Sequence, residues 1–368
     1  MKRHLTLILA ALLCLSLLAA MVACEESDKP AETTDAETNA PAEQTTEAPT
    51  TEETTEPATE ETTEEATTNN ASEPVEGAIN IGTAEELIAW ANTINVDGTD
   101  YFEVTVNFTS DIDLAGHNWI PIDGAYLDCV TFEGNGHTIR NLTIAGTDEH
   151  TPDAAHNFPY GFGFIQNAEY DLTFQNLTFE NVNITAWERH VGVLVGNVYG
   201  AAWVYFDNVH VNNFTLDGWM DQTNEDIENG GHHIAFRVAG FVGGNFGGNI
   251  EFNNCSATNG KLSGFHNLAA FVGYDATGNI NADCFTNCRA ENLEMTFSYC
   301  LSESYTADQP RKFVSVFFNA NDWVDNIDDF DGTDNTFHGI YFIDYTDPES
   351  VYNPDNFRSW TYEEAYPD

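Results

Sequence analysis

Basic side chains are the scarcest class in this chain: eleven lysines and arginines face 60 aspartates and glutamates, for a formal net charge of −49 at pH 7. So acidic a surface repels phosphate backbones and anionic lipid headgroups, which excludes nucleic acid as a partner. Long apolar runs are also nearly absent, and the one that exists lies at the start, Leu5 to Ala23. The seven cysteines carry no paired zinc spacing, since Cys284 and Cys288 lack a second pair. What the chain does have is length and apolar content, 368 residues at 42% hydrophobic, enough to bury a sizeable core in one or two domains.

The first 23 residues set Lys2 and Arg3 before the apolar run, and charge returns abruptly at Glu25. That is the layout of an export signal. Its last residues, Met21-Val22-Ala23-Cys24, resemble a bacterial lipobox. The resemblance implies cleavage after Ala23 and lipidation of Cys24, and hence a lipid-anchored protein on the outer face of a bacterial cell membrane, displayed at the cell surface. An uncleaved helix is the rival, because 19 uncharged residues nearly span a bilayer. Residues 24–76 then form an acidic Thr/Glu/Pro-rich linker. The stretch Glu25 to Glu76 has no aromatic residue, a single valine, 17 carboxylates and five prolines. It cannot bury enough surface to offset chain entropy, so a disordered tether reaching at most about 170 Å is expected.

Residues 77–368 read as one globular domain. Thr83 and Glu86 form a capping box ahead of an apolar stripe, Leu87, Ile88, Trp90, Ala91 and Ile94, which predicts one amphipathic helix within an N-terminal cap region, residues 77–100. Short β-branched and aromatic runs broken by Asn or Gly follow. A small-apolar-glycine phrase returns, with its first core position at Gly163, Val193, Gly240, Ala270 and Ser315. The intervals of 30, 47, 30 and 45 residues imply a unit of about 30 with an insertion of about 15–17 in alternate copies. An asparagine marker recurs beside it in Asn141-Leu142, Asn176-Leu177, Asn208-Val209, Asn254-Cys255 and Asn287-Cys288. Asparagine tolerates the left-handed conformation and can stack amide on amide, and its neighbours would form one inward column. Units too small to bury their own apolar face gain stability by stacking, so the expected fold is all-β, a parallel β-helix (β-solenoid) in which Leu194 and Val242 are core residues at equivalent points. A β-sandwich would need hairpins, for which the strong Asn-Gly signal occurs chiefly at Asn135-Gly136.

The runs "TSDIDLAGHNWIPID" and "FEGNGHTIRNLTI", with "VGVLVGN", "AGFVGGN" and "AAFVGYD", resemble the GLUG-motif β-helical proteins of bacterial surfaces over roughly Thr83 to Leu293. The resemblance implies a right-handed β-helix placed outside the cell. It transfers no catalytic residue, because the family has no single chemistry.

The residues themselves weigh against several chemistries. From Gly77 onward only eight basic residues oppose 43 acidic ones, a poor environment for a polyuronate. Gly230-Gly231-His232-His233 lacks the glycine that polygalacturonase-like hydrolases place after the histidine, and adjacent histidines on a strand point to opposite faces. In Asp325 to Asn335, Ile327 stands where an EF-hand loop needs its first carboxylate. No metal, cofactor or catalytic residue is assigned. Cys255 and Cys288 would face each other across one rung spacing, within disulfide reach, and are expected as a reduced apolar pair.

The insertions Thr147 to Phe158, Asp217 to Ala235 and Ser298 to Lys312 enter at one corner of the coil on alternate rungs, so they should gather along one edge roughly 10 Å apart. They carry Trp219, Asp221, His232, His233, Tyr305 and Arg311, the candidate ligand-binding residues. The expected function is a non-catalytic binding or adhesion module for a glycan or a surface protein. The alternative is a carbohydrate-active enzyme, a neutral-polysaccharide hydrolase or lyase on the same scaffold.

Overall fold

The computed structural model describes residues 71–145, 161–186, 190–218, 237–264, 267–297, 315–320, 323–324, 333–344 and 347–352. The fold is all-β and built from long parallel sheets, consistent with the expected β-solenoid. One sheet stacks Ile79–Ile81, Thr105–Phe108, Val130–Glu133, Leu172–Thr185, Trp203–Asp217, Ser256–Gly264, Arg289–Phe297 and Thr336–Asp344 in that order, and every one of these steps is parallel. A second stacks Ile165–Ala168, Val195–Tyr199, Val242–Phe246, Val272–Asp275 and Phe318–Ala320, and a third His190–Gly192, Arg237–Ala239 and Leu268–Ala269. Successive units thus stack wall on wall, and the three central ones contribute a strand to each of the three sheets. The parallel stacking ends at Thr336–Asp344, against which Asp347–Tyr352 adds antiparallel.

The strand Leu172–Thr185 shows how the sequence makes a bent wall with one apolar face. Its buried residues are Leu172, Phe174, Leu177, Phe179, Val182 and Ile184, a spacing of two and three in alternation. Strict period two would turn every other segment inside out. The extra residue at each bend is an asparagine with positive φ, Asn176 and Asn181, which redirects the chain without losing the inward phase. The same device recurs at Asn208 and Asn213, Asn254 and Asn259, and Asn287 and Asn292, all with φ between 51 and 57°.

The asparagines do stack. Asn208 Nδ2 donates to Asn176 Oδ1 at 3.0 Å, Asn254 to Asn208 at 2.8 Å and Asn287 to Asn254 at 2.8 Å. A second ladder, not expected from the sequence, runs beside it: Asn213 donates to Asn181 at 2.6 Å and Asn292 to Asn259 at 3.1 Å. Asn141 lines up with the corners of that second ladder without bonding into it. The register Thr143↔Asn183 sets Asn141-Leu142 beside Asn181-Val182 rather than Asn176-Leu177, and Asn141 reaches instead to Asp113 at 2.7 Å. The first column is therefore Leu177, Val209, Cys255 and Cys288, all buried, without Leu142.

The glycine phrase aligns as expected through Val191↔Val238, Val195↔Val242 and Val238↔Leu268. Leu194 and Val242 are both fully buried, but Leu194 is level with Phe241, and Val242 with Val195. In the last copy the partner of Val272 is Phe318, one residue beyond the expected offset, and the register slips back by Asp275↔Ala320. The glycines serve close approach rather than unusual dihedrals. A methyl added at Gly196 would sit 2.6 Å from the Gln166 carbonyl oxygen, and one at Gly243 would sit 2.6 Å from the Val191 amide nitrogen. Asn135-Gly136 makes no hairpin, since Val130–Glu133 and Thr138–Arg140 both pair parallel with Leu172–Thr185.

Phenylalanine fills the core in two columns. Phe132, Phe174, Phe206, Phe252 and Phe285 stack face to face, with centroids 4.7–5.3 Å apart. Phe241, Phe271 and Phe317 form a second stack at 4.9 and 5.4 Å. The columns meet edge to face, as in Phe241 against Phe252 at 5.4 Å and 87°, the geometry that ring quadrupoles prefer.

The helix spans Ala84–Asn95. Thr83 accepts from the Glu86 N–H at 3.2 Å, while Glu86 accepts from the Gly82 N–H at 2.7 Å, one residue short of a reciprocal capping box. Leu87, Trp90, Ala91 and Ile94 are buried, and Trp90 meets Phe132 edge-on at 5.9 Å. Ahead of Gly77, the Ser72 N–H donates to the Thr109 carbonyl at 2.7 Å.

Candidate functional site

Cys24, Trp219, Asp221, His232, His233, Tyr305 and Arg311 all lie outside the described residues, as do the three insertions apart from Asp217 and Gly218. Their points of departure are described. Ala145, Thr185, Asp217 and Ser263 are consecutive partners on one sheet edge, followed by Gly264↔Phe297. The insertions leave after Ala145, after Asp217 and after Phe297, from alternate strands of that edge, so their roots are two rung spacings apart, roughly 10 Å.

Two grooves open on the outward face of the long sheet. The first, about 390 Å³, is lined by His210, Asn212, Ser256, Thr258, Arg289 and Glu291. Its polar groups are engaged with one another: His210 Nδ1 lies 2.9 Å from Ser256 Oγ, Thr258 donates to Asn212 at 3.0 Å, and Arg289 lies 3.4 Å from Glu291. Burial first, and the Arg289 charge second, hold the His210 imidazole below the ordinary histidine pKa.

The second groove, about 370 Å³, crosses four rungs and includes Gln175, Tyr205, Asp207, Glu251, Asn253 and Asp283. Tyr205 is level with Glu251 and Asp207 with Asn253, so each pair bridges adjacent rungs. Asn253 Nδ2 donates to Asp207 Oδ1 at 2.6 Å, whereas neither the Tyr205 hydroxyl nor the Glu251 carboxylate has a hydrogen-bond partner among the described residues. Tyr205 is 37% exposed and stacks at 5.8 Å and 14° on Trp203, itself 39% exposed. Burial, then the Glu251 and Asp171 carboxylates, push the Tyr205 phenol up, so it stays protonated and available as a donor. Outward alternation at period two marks these residues only as solvated strand positions, and the register is needed to bring them together.

Ser72, His137 and Asp111 form a second unforeseen arrangement. Ser72 Oγ lies 2.8 Å from His137 Nε2, and His137 Nδ1 lies 3.4 Å from Asp111. The order of groups matches a nucleophile, base and orienting acid. The rest of the machinery does not: Asp111 is held by Arg140 at 2.6 Å and by the Thr138 N–H at 3.0 Å, and the N–H groups of Gly134, Gly136 and His137 all donate to carbonyls. None of these donors is left for an oxyanion, and we read the contact as tying the segment before Gly77 to the first rungs.

Cys255 and Cys288 are free and buried, with burial raising the Cys255 thiol well above its ordinary pKa. No group of three or more His, Cys, Asp or Glu side chains suited to a metal occurs among the described residues. Asn335, from the acidic segment weighed above, serves the fold: its amide accepts from the Cys288 N–H at 2.8 Å and donates to the Phe285 carbonyl at 2.9 Å.

No family model and no curated protein matches the chain. Among solved structures it is similar to "a putative immunoglobulin A1 protease from Bacteroides ovatus", at 14% identity over 77% of this chain and 81% of that one, with a TM-score of 0.33. A likeness this distant carries no argument about activity.

Proposed function

We propose that the chain is a cell-surface lipoprotein, anchored through Cys24, that displays a non-catalytic right-handed β-helix module, akin to the GLUG-motif proteins, for binding a glycan or a protein partner. In this reading the helix Ala84–Asn95 caps the first rung, and residues 24–76 hold the module away from the membrane. The observation that carries it is the stacked edge: three insertions rooted at Ala145, Asp217 and Phe297 leave a rigid sheet from alternate strands. Loops mounted in this way on an ordered scaffold are the usual carriers of recognition. Around Ser72 the backbone donors are all committed to carbonyls, which leaves no oxyanion site there and favours binding over turnover.

The test is to replace Asp217 to Ala235 with a two-residue turn in the full chain and to probe glycan and protein arrays. Binding present in the parent and lost in the shortened chain, with an unchanged melting temperature, is the expected result. Undiminished binding refutes the loop placement.

A further inference from the structure

We propose that the groove at Tyr205, Asp207 and Glu251 is a subsite for a neutral oligosaccharide. This rests on the binding reading above and names a ligand class and a place for it apart from the insertions. Sugar binding needs two kinds of surface, and both are present. Flat aromatic faces accept the C–H face of a pyranose: Tyr205 lines the groove, and Trp203, stacked nearly parallel beside it, extends the exposed aromatic surface past the groove's rim, at 37% and 39% exposure. Hydroxyls need directional partners: Glu251 accepts, the Tyr205 phenol donates, and Gln175 and Asn253 add amides. Glu251 and the Tyr205 hydroxyl are unpaired among the described residues, so a ligand does not have to break hydrogen bonds to use them.

Charge selects among sugars. Asp207, Glu251 and Asp283 line the groove and, among the described residues, no lysine or arginine does, so uronates and sulfated chains are repelled. The long axis crosses four rungs, three spacings or about 14 Å, which suits a short run of pyranose units. A basic peptide would also meet the carboxylates, but the uncharged amides and hydroxyls interleaved with them, Gln175, Asn253 and Thr286, match a polyol better than a row of ammonium groups.

The experiment is isothermal titration of the full chain, kept in a detergent without a sugar headgroup, with cellohexaose, xylohexaose and mannohexaose. Hexagalacturonate and hexalysine serve as comparators. At least one neutral hexaose should bind, Tyr205→Ala and Trp203→Ala should each weaken it by roughly five- to tenfold, and hexagalacturonate should give no heat of binding. Tyr205→Phe and Glu251→Gln, which keep the fold's shape, guard against a variant that merely unfolds; each should weaken binding by about threefold at unchanged melting temperature. No neutral hexaose bound at millimolar concentration, affinity untouched by the Tyr205 and Trp203 variants, or Tyr205-dependent binding of hexalysine instead would each overturn the assignment. Array binding lost on shortening Asp217 to Ala235 but indifferent to Tyr205 would leave the proposed function standing and remove only this subsite.

Discussion

Truncating Phe252 to alanine attacks the core where its two phenylalanine columns meet. The ring is 1% exposed, lies 5.0 Å from both Phe206 and Phe285 in near-parallel stacks, and meets Phe241 at 5.4 Å and Phe271 at 5.1 Å edge-on. Loss of the side chain and the cavity left behind cost about 3–5 kcal/mol in well-packed cores. Four ring contacts place this site at the upper end of that range, since each such pair adds about 0.5–1.5 kcal/mol beyond buried area. Rungs on either side contribute rings to the same cavity wall, so it cannot close by moving one strand. Phe252→Leu keeps most of the volume and forfeits the ring terms, for an expected cost of about 2 kcal/mol. Urea unfolding of the full chain, followed by far-ultraviolet circular dichroism, measures both from the shift in midpoint at constant slope. A cost below about 1 kcal/mol for Phe252→Ala would mean that the columns do not stack as described.

Three further outcomes follow from the same structure. Leu194→Asp places a charge at a fully buried point level with Phe241 and should cost several kcal/mol; an unchanged melting temperature would show the rung register to be wrong. The lowered pKa of His210, which lies between Ser256, Asn208 and Arg289 with Glu291 across the groove, means that the unfolded chain takes up the proton first as pH falls. The neutral ring's contribution is whole above about pH 6.5 and is lost as pH falls through that value toward the folded pKa, so His210→Gln should flatten the stability profile between about pH 7 and 5; an identical slope would contradict this. Mass spectrometry of the N-terminal peptide should find a diacylglyceryl adduct beginning at Cys24, and a mature chain retaining Met1 to Ala23 would rule out the anchor.

The glycine phrase and the asparagine marker were legible because each answers a local backbone demand, close approach in one case and positive φ in the other. The phase of Asn141 was not. "NLTFEN" places two identical corners five residues apart in one strand, Asn176 and Asn181, and only pairing with Thr138–Arg140 and Thr143–Ala145 decides which corner Asn141 meets. The first phenylalanine column had a signal that could have been read: Phe174, Phe206, Phe252 and Phe285 each stand two residues before a marker asparagine. The groove at Tyr205 had none. Its residues come from four units, one insertion lying between the second and third, and their outward alternation looks the same as that of any solvated strand. The repeat intervals locate the insertions but not the side chains within them that meet a ligand, and Trp219, Asp221, His232, His233, Tyr305 and Arg311 lie outside the described residues.

The central claim, a surface module that binds without turnover, is tested most directly by incubating the full chain with a mixture of neutral oligosaccharides and accounting for every product by mass spectrometry. The account predicts a ligand retained by the protein and recovered intact, with no shortened or unsaturated product at any time. Release of such a product, abolished by Asp207→Asn or Glu251→Gln, would contradict it and make the solenoid face an active site.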